Sequence, residues 1–162
     1  MTIYGNKIGT NRSLTGIIAN ATGINIQSGV SGTIIGGIES GQANTVGGNT
    51  NNGIDVSGNT TTIYSNFIGT SSNGTTNFAN GGAGIIVRNN TVTTKIGGAT
   101  TTQGNTIAFN TDGIKAEETA DLLEIRKNLL YSNTNRNINY LSGANAGITA
   151  TTVTITSATS SR

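Results

Sequence analysis

The chain has 162 residues, of which 33% are hydrophobic, 10% are charged and 24 are Gly, with no Cys, Pro or His. That length fits one domain, but so little apolar material argues against a compact layered core, and without Cys or His there is no disulfide framework, thiolate metal site or ordinary nucleophile–base pair. A formal charge of +2 without a basic cluster speaks against nucleic acid, and no run of about eighteen apolar residues is present to span a membrane.

In chain order, the first feature is TIYGNKIGT at residues 2–10, which returns as TIYSNFIGT at residues 62–70. Self-similarity at a fixed period predicts stacked units. Between these copies and after them come glycine-led tetrapeptides: Gly23-Ile24-Asn25-Ile26, Gly53-Ile54-Asp55-Val56, Gly84-Ile85-Ile86-Val87 and Gly113-Ile114-Lys115-Ala116, then Asn137-Ile138-Asn139-Tyr140. Each alternates with period two, as a short strand with one buried face does, and Ile and Val suit a pleated surface. The inward columns are then Ile24, Ile54, Ile85, Ile114, Ile138 and Ile26, Val56, Val87, Ala116, Tyr140, at spacings of 24 to 31 residues.

A second pattern, I-x-x-N-x-I, stands as Ile3-Asn6-Ile8, Ile63-Asn66-Ile68 and Ile125-Asn128-Leu130. Two intervening coils carry it with a six-residue insertion, from Ile35 through Gly36-Gly37 to Asn44-Thr45-Val46, and from Ile96 through Gly97-Gly98 to Asn105-Thr106-Ile107. Asn6, Asn44, Asn66, Asn105 and Asn128 thereby share one position, where a stacked amide ladder is expected, although Asn also favours turns for local reasons. The predicted fold is all-β: a right-handed, single-stranded parallel β-helix of about five coils over residues 1–142, with residues 143–162 as a C-terminal exit strand and tail. A β-sandwich would need hairpin turns that this spacing does not supply. Residues 117–130 also read as a helix from their composition, but Ile125-Asn128-Leu130 keeps them in coil register.

The phrases Asn6-Lys7-Ile8-Gly9-Thr10-Asn11, Asn66-Phe67-Ile68-Gly69-Thr70, Gly23-Ile24-Asn25-Ile26 and Thr94-Lys95-Ile96-Gly97-Gly98 resemble the parallel β-helix repeats of large secreted and cell-surface bacterial proteins, whose shape is pectate-lyase-like. The resemblance covers about residues 2–142 and implies a stalk, adhesin or module beside an enzyme, placed outside the cell or on its surface.

Carbohydrate-active enzymes on such a helix need carboxylates converging from neighbouring coils, about 5–9.5 Å apart. In the outward column Asn25, Asp55, Ile86, Lys115, Asn139 no acidic pair is expected, and Asp55→Asn is expected to change little. Glu117, Glu118, Asp121 and Glu124 cluster within one coil beside Arg126 and Lys127, as a solvated surface does. Two cross-coil charge pairs are expected, Arg88 with Glu117 and Lys95 with Glu124. The column Tyr4, Gly36, Tyr64, Gly97, Arg126 places aromatic rings over glycine gaps, or offers a sugar-stacking platform. The long loops at residues 9–22 and 69–83 leave the same edge two coils apart.

The carbohydrate-binding candidates are Tyr4, Tyr64, Asn11 and Asn73; no catalytic residue, metal or cofactor is expected. The leading functional expectation is a non-catalytic structural or adhesive module that meets polysaccharide or cell-surface glycan and the neighbouring domains of a longer chain. A polysaccharide lyase or glycoside hydrolase is the alternative, and an ice-binding solenoid the third reading, weakened by Ile, Lys, Glu and Arg in the outward columns. Met1 leads straight into the repeat without the start of a signal peptide, and residues 2–4 begin in mid-coil. More coils on the N-terminal side, and end-to-end self-association of this piece, are therefore expected.

Overall fold

A computed structural model describes residues 1–142. Coil 1 carries β1 (Thr2–Ile3), β2 (Lys7–Ile8) and β3 (Ile24–Ile26); coil 2 carries β4 (Ile34–Ile35), β5 (Thr45–Val46) and β6 (Ile54–Val56). Coil 3 follows with β7 (Thr62–Ile63), β8 (Phe67–Ile68) and β9 (Ala83–Val87), and coil 4 with β10 (Lys95–Gly97), β11 (Thr106–Ala108) and β12 (Asp112–Ala116). Coil 5 has β13 (Glu124–Arg126), β14 (Leu129–Tyr131) and β15 (Arg136–Tyr140). Like pairs with like in parallel, giving three five-stranded sheets ordered β1-β4-β7-β10-β13 (sheet 1), β2-β5-β8-β11-β14 (sheet 2) and β3-β6-β9-β12-β15 (sheet 3). Each neighbour in a sheet is one coil away, so the chain is a parallel β-helix of five coils. Residues 117–130 keep coil register, with Ile125 opposite Ile96 and Leu130 opposite Ile107. The expected exit strand in residues 143–162 lies outside the described residues.

The core is the set of stacked aliphatic columns. Ile24, Ile54, Ile85, Ile114 and Ile138 run in register through sheet 3, as do Ile26, Val56, Val87, Ala116 and Tyr140, the last of these exposed. Sheet 1 contributes Ile35, Ile63 and Ile96, and sheet 2 Val46, Ile68 and Ile107, all fully buried. Each such side chain contributes about 1.5–3 kcal/mol, and each coil shields its neighbour's column, so the stack stabilises what no single coil could.

The corner between sheets 1 and 2 requires a residue at positive φ in every coil. Odd coils place it at Gly5, Ser65 and Lys127, and even coils one position earlier, at Gly36 and Gly97. Gly36 has φ of +89° and its backbone passes so close to the next coil that a Cβ there would lie 2.0 Å from the Tyr64 carbonyl oxygen, so no other residue fits. The six-residue insertions that follow are built alike. Gln42 Oε1 accepts the Glu39 N–H at 3.2 Å, and Gln103 Oε1 accepts the Thr100 N–H at 3.1 Å.

At the same corner the expected ladder forms. Asn6 donates through its Nδ2 to Asn44 Oδ1 at 3.1 Å, Asn44 to Asn66 at 2.9 Å, Asn66 to Asn105 at 3.0 Å and Asn105 to Asn128 at 2.8 Å. The backbone N–H of each donating Asn reaches the same Oδ1, so every rung is doubled. A second ladder at the corner before sheet 3 was not foreseen: Asn20, Asn49, Asn80, Asn110 and Asn133 repeat the same double donation, with Nδ2 distances of 3.1, 2.8, 2.9 and 3.3 Å. Its signal was in the sequence, an Asn three or four residues before each sheet 3 tetrapeptide. The corner before sheet 1 stacks Thr33, Thr61 and Thr94, all fully buried with hydroxyls that meet no hydrogen-bond partner, and coil 5 has Leu123 in that place.

Candidate functional site

The outward face of sheet 3 carries the main side-chain cluster. Asn25, Asp55, Ile86, Lys115 and Asn139 occupy one column, as the alternation predicts. The expectation that Asp55 has only an amide and an aliphatic side chain beside it is corrected, because Arg88 reaches it. Arg88 Nε and Nη2 donate to the two Asp55 oxygens at 2.9 and 2.5 Å, and Nη1 donates to Glu117 Oε1 at 2.8 Å. Asn52 Nδ2 donates to Asp55 Oδ2 at 3.3 Å, and Glu117 Oε2 accepts the Asn89 N–H at 3.1 Å.

Reading one column at a time could not reveal the Arg88–Asp55 pair. Val56 pairs with Val87, so Arg88 stands opposite Ser57, and Asp55 is its diagonal neighbour on the preceding coil, on the same face. Diagonal neighbours lie about 7–8 Å apart, within reach of a long side chain. The result is one guanidinium holding carboxylates from coils 2 and 4. Hydrogen bonding to Asp55, only partly offset by burial, raises the Arg88 guanidinium further above its ordinary range, so it stays charged throughout the working pH range. Asp55 is 9% exposed, a carboxylate committed to this contact rather than to solvent.

Beside this cluster lies a cleft of about 330 Å³ lined by Thr22, Thr50, Asn51, Asn52, Gly81, Gly82 and Arg88. It sits where three successive coils enter sheet 3, and the two glycines lower its wall. Further along the sheet, Asp112 is buried and accepts from Asn135 at 2.8 Å and Asn139 at 3.1 Å. A second cleft of about 250 Å³ lies between the two insertion turns, its lining including Ile38, Glu39, Phe67 and Thr102.

The four sequence-predicted binding residues lie elsewhere. Tyr4 and Tyr64 follow the strands of sheet 1 two coils apart with Gly36 between them, Tyr4 exposed and Tyr64 half-buried. Asn11 and Asn73 lie in the loops after sheet 2, where each organises its own turn. Asn11 Oδ1 accepts the Thr15 N–H at 2.9 Å, and Asn73 Oδ1 accepts from the Thr75 N–H at 3.0 Å and the Ser71 hydroxyl at 2.5 Å. Both loops are closed by an antiparallel bridge, Thr10 to Ile17 and Thr70 to Asn77.

Of the two expected cross-coil charge pairs, Arg88–Glu117 forms. Lys95 and Glu124 are in register, but Glu124 pairs with Arg126 on its own strand at 2.7 Å. Among the described residues no group of three or more acidic, His or Cys side chains could hold a metal ion, and no helix is long and apolar enough to cross a membrane.

No protein-family description, curated protein or solved structure matches this chain.

Proposed function

We propose that the chain is a non-catalytic structural or adhesive β-helix module of a larger extracellular bacterial protein, one that holds glycan on its outward faces. The observation that carries this reading is where the polar side chains go. Two Asn ladders and the Asp55–Arg88–Glu117 contact direct amides and carboxylates into holding coils together, which is the requirement of a stiff scaffold. A catalytic acid or base needs a carboxylate free to move a proton, whereas Asp55 and Asp112 are buried and hydrogen-bonded.

The cleft beside Arg88 is the binding position this reading favours. Thr22, Thr50 and Asn51 bring a hydroxyl, a hydroxyl and an amide to its wall, groups that suit the hydroxyls of a neutral sugar. Its one cation already faces two carboxylates, so acidic sugars gain little there. The test is a glycan array carrying neutral and uronate oligosaccharides, probed with the wild type, Asn51→Ala and the double variant Tyr4→Ala/Tyr64→Ala. Neutral-glycan binding lost in Asn51→Ala and kept in the tyrosine variant is the expected outcome; loss in the tyrosine variant alone would move the site to sheet 1. Release of unsaturated or reducing ends from a uronate polymer would overturn the non-catalytic reading.

A further inference from the structure

The loops after sheet 2 in coils 1 and 3 are the same device in two settings. Ile18 donates its N–H to Gly9 O at 2.9 Å and Phe78 donates its N–H to Gly69 O at 3.0 Å, so the two residues are structural equivalents. Phe78 packs back on coil 2: its carbonyl accepts the Gly48 N–H at 2.7 Å, and Gly47 leaves the room it fills, since a Cβ there would lie 2.7 Å from the Phe78 Cβ. Phe78 is 4% exposed and Ile18 is 65% exposed. Coil 1 thus presents, uncovered, a surface that coil 3 presents to a neighbouring coil.

The Asn ladders give this surface a polarity. Every Asn donates toward the next coil, so inner rungs accept two hydrogen bonds at Oδ1, while no donor among the described residues reaches Oδ1 of Asn6 or Asn20. At the other end the backbone N–H groups of Asn128 and Asn133 meet no acceptor among the described residues. Acceptors on coil 1 and donors on coil 5 stand at the same two corners. Coil 5 also has the short connection Tyr131-Ser132 before Asn133, at the position that Gly47-Gly48 fills in coil 2 beneath Phe78.

We propose that the outer face of coil 1 is a docking surface for a second copy of this chain, stacked head to tail so that coil 5 of one copy lies against coil 1 of the next. Ladder polarity selects this arrangement: coil 1 against coil 1 would face acceptor with acceptor, whereas Asn128 and Asn133 supply the donors that Asn6 and Asn20 lack. Ile18 would cover the Tyr131-Ser132 connection as Phe78 covers Gly47-Gly48. Such a contact is heterologous and does not close, so it propagates as an open filament.

The 162-residue chain has no Cys, which allows clean cross-linking. In sheet 2 Lys7 and Leu129 occupy the same register position in coils 1 and 5, and both are exposed. Head-to-tail docking puts Leu129 one strand spacing, ~4.8 Å, from Lys7 of the next copy, within disulfide range. Mixing Lys7→Cys with Leu129→Cys under mild oxidation should trap a dimer, the double variant should give a ladder of oligomers, and Lys7→Cys alone should give none. In sedimentation velocity the wild-type mass should rise with concentration, and Ile18→Lys, with an unchanged melting temperature because Ile18 is exposed, should weaken that association at least tenfold. A wild-type chain that stays monomeric at about 1 mM, a dimer trapped through Lys7→Cys alone, or association indifferent to Ile18→Lys would each overturn the proposal.

Discussion

Removing one rung from the middle of the first ladder should be far more damaging than removing its first rung, although the substitution is the same. Asn66 accepts the N–H and one Nδ2 hydrogen of Asn44, and donates to Asn105 Oδ1, the Ile35 carbonyl and the Tyr64 carbonyl. In Asn66→Ala the two Asn44 donors, fully buried, lose their acceptor. At about 1–3 kcal/mol for each stranded buried group, and with smaller losses at the carbonyls, the expected destabilisation is ~3–5 kcal/mol. In Asn6→Ala nothing upstream is stranded, and Asn44 Oδ1 still accepts the Asn6 backbone N–H at 3.0 Å, so the expected loss is ~1 kcal/mol or less. Urea unfolding followed by circular dichroism measures both, with an unchanged m-value confirming that the native fold is the starting point. Losses equal within about 0.5 kcal/mol, judged against that same scale, would refute the view that cross-coil amide bonding holds this corner.

Ile85→Asp puts a carboxylate into a fully buried aliphatic column and should cost several kcal/mol, abolishing the cooperative melt at room temperature; an unchanged melting point would remove Ile85 from the interior. Asp55→Asn leaves Arg88 with Glu117 alone and should lower stability by ~1–2 kcal/mol, a loss that Arg88→Met in the same background should not deepen; a neutral result would mean the contact is solvent-screened. Thr61→Val removes a buried hydroxyl that has no partner and should raise stability by ~1 kcal/mol, whereas a loss of that size would show that the hydroxyl is hydrogen-bonded in solution.

The fold was legible because it repeats: glycine-led alternating tetrapeptides fix sheet 3, and I-x-x-N-x-I fixes sheets 1 and 2 with the first ladder between them. Residues compared column by column give neighbours directly above and below, which is how the Arg88–Glu117 pair was found. The same procedure is blind to diagonals, so it missed Arg88 on Asp55 and mistook a structural carboxylate for a replaceable one. The second ladder escaped because Asn lies three residues before the tetrapeptide in some coils and four in others, a drift that blurs the column although the side chains align in space. The buried Thr33, Thr61 and Thr94 read as turn polarity, since nothing in a lone Thr tells whether its methyl or its hydroxyl sets its place. The cleft beside Arg88 is assembled from four separate segments, and no local pattern marks it.

A single distance tests the stacking of the coils most directly. Lys7 and Leu129 are 122 positions apart in sequence yet four strands apart in sheet 2, one residue in each coil at the same register. Four spacings of ~4.8 Å put their backbones about 19 Å apart. Spin labels on Lys7→Cys and Leu129→Cys, diluted with unlabelled chain so that only intramolecular pairs are read by double electron–electron resonance, should give one narrow distribution centred within a few ångströms of that value once the label tethers are included. A broad distribution, or a mean beyond about 35 Å where this spacing allows ~19 Å, would contradict a five-coil parallel stack.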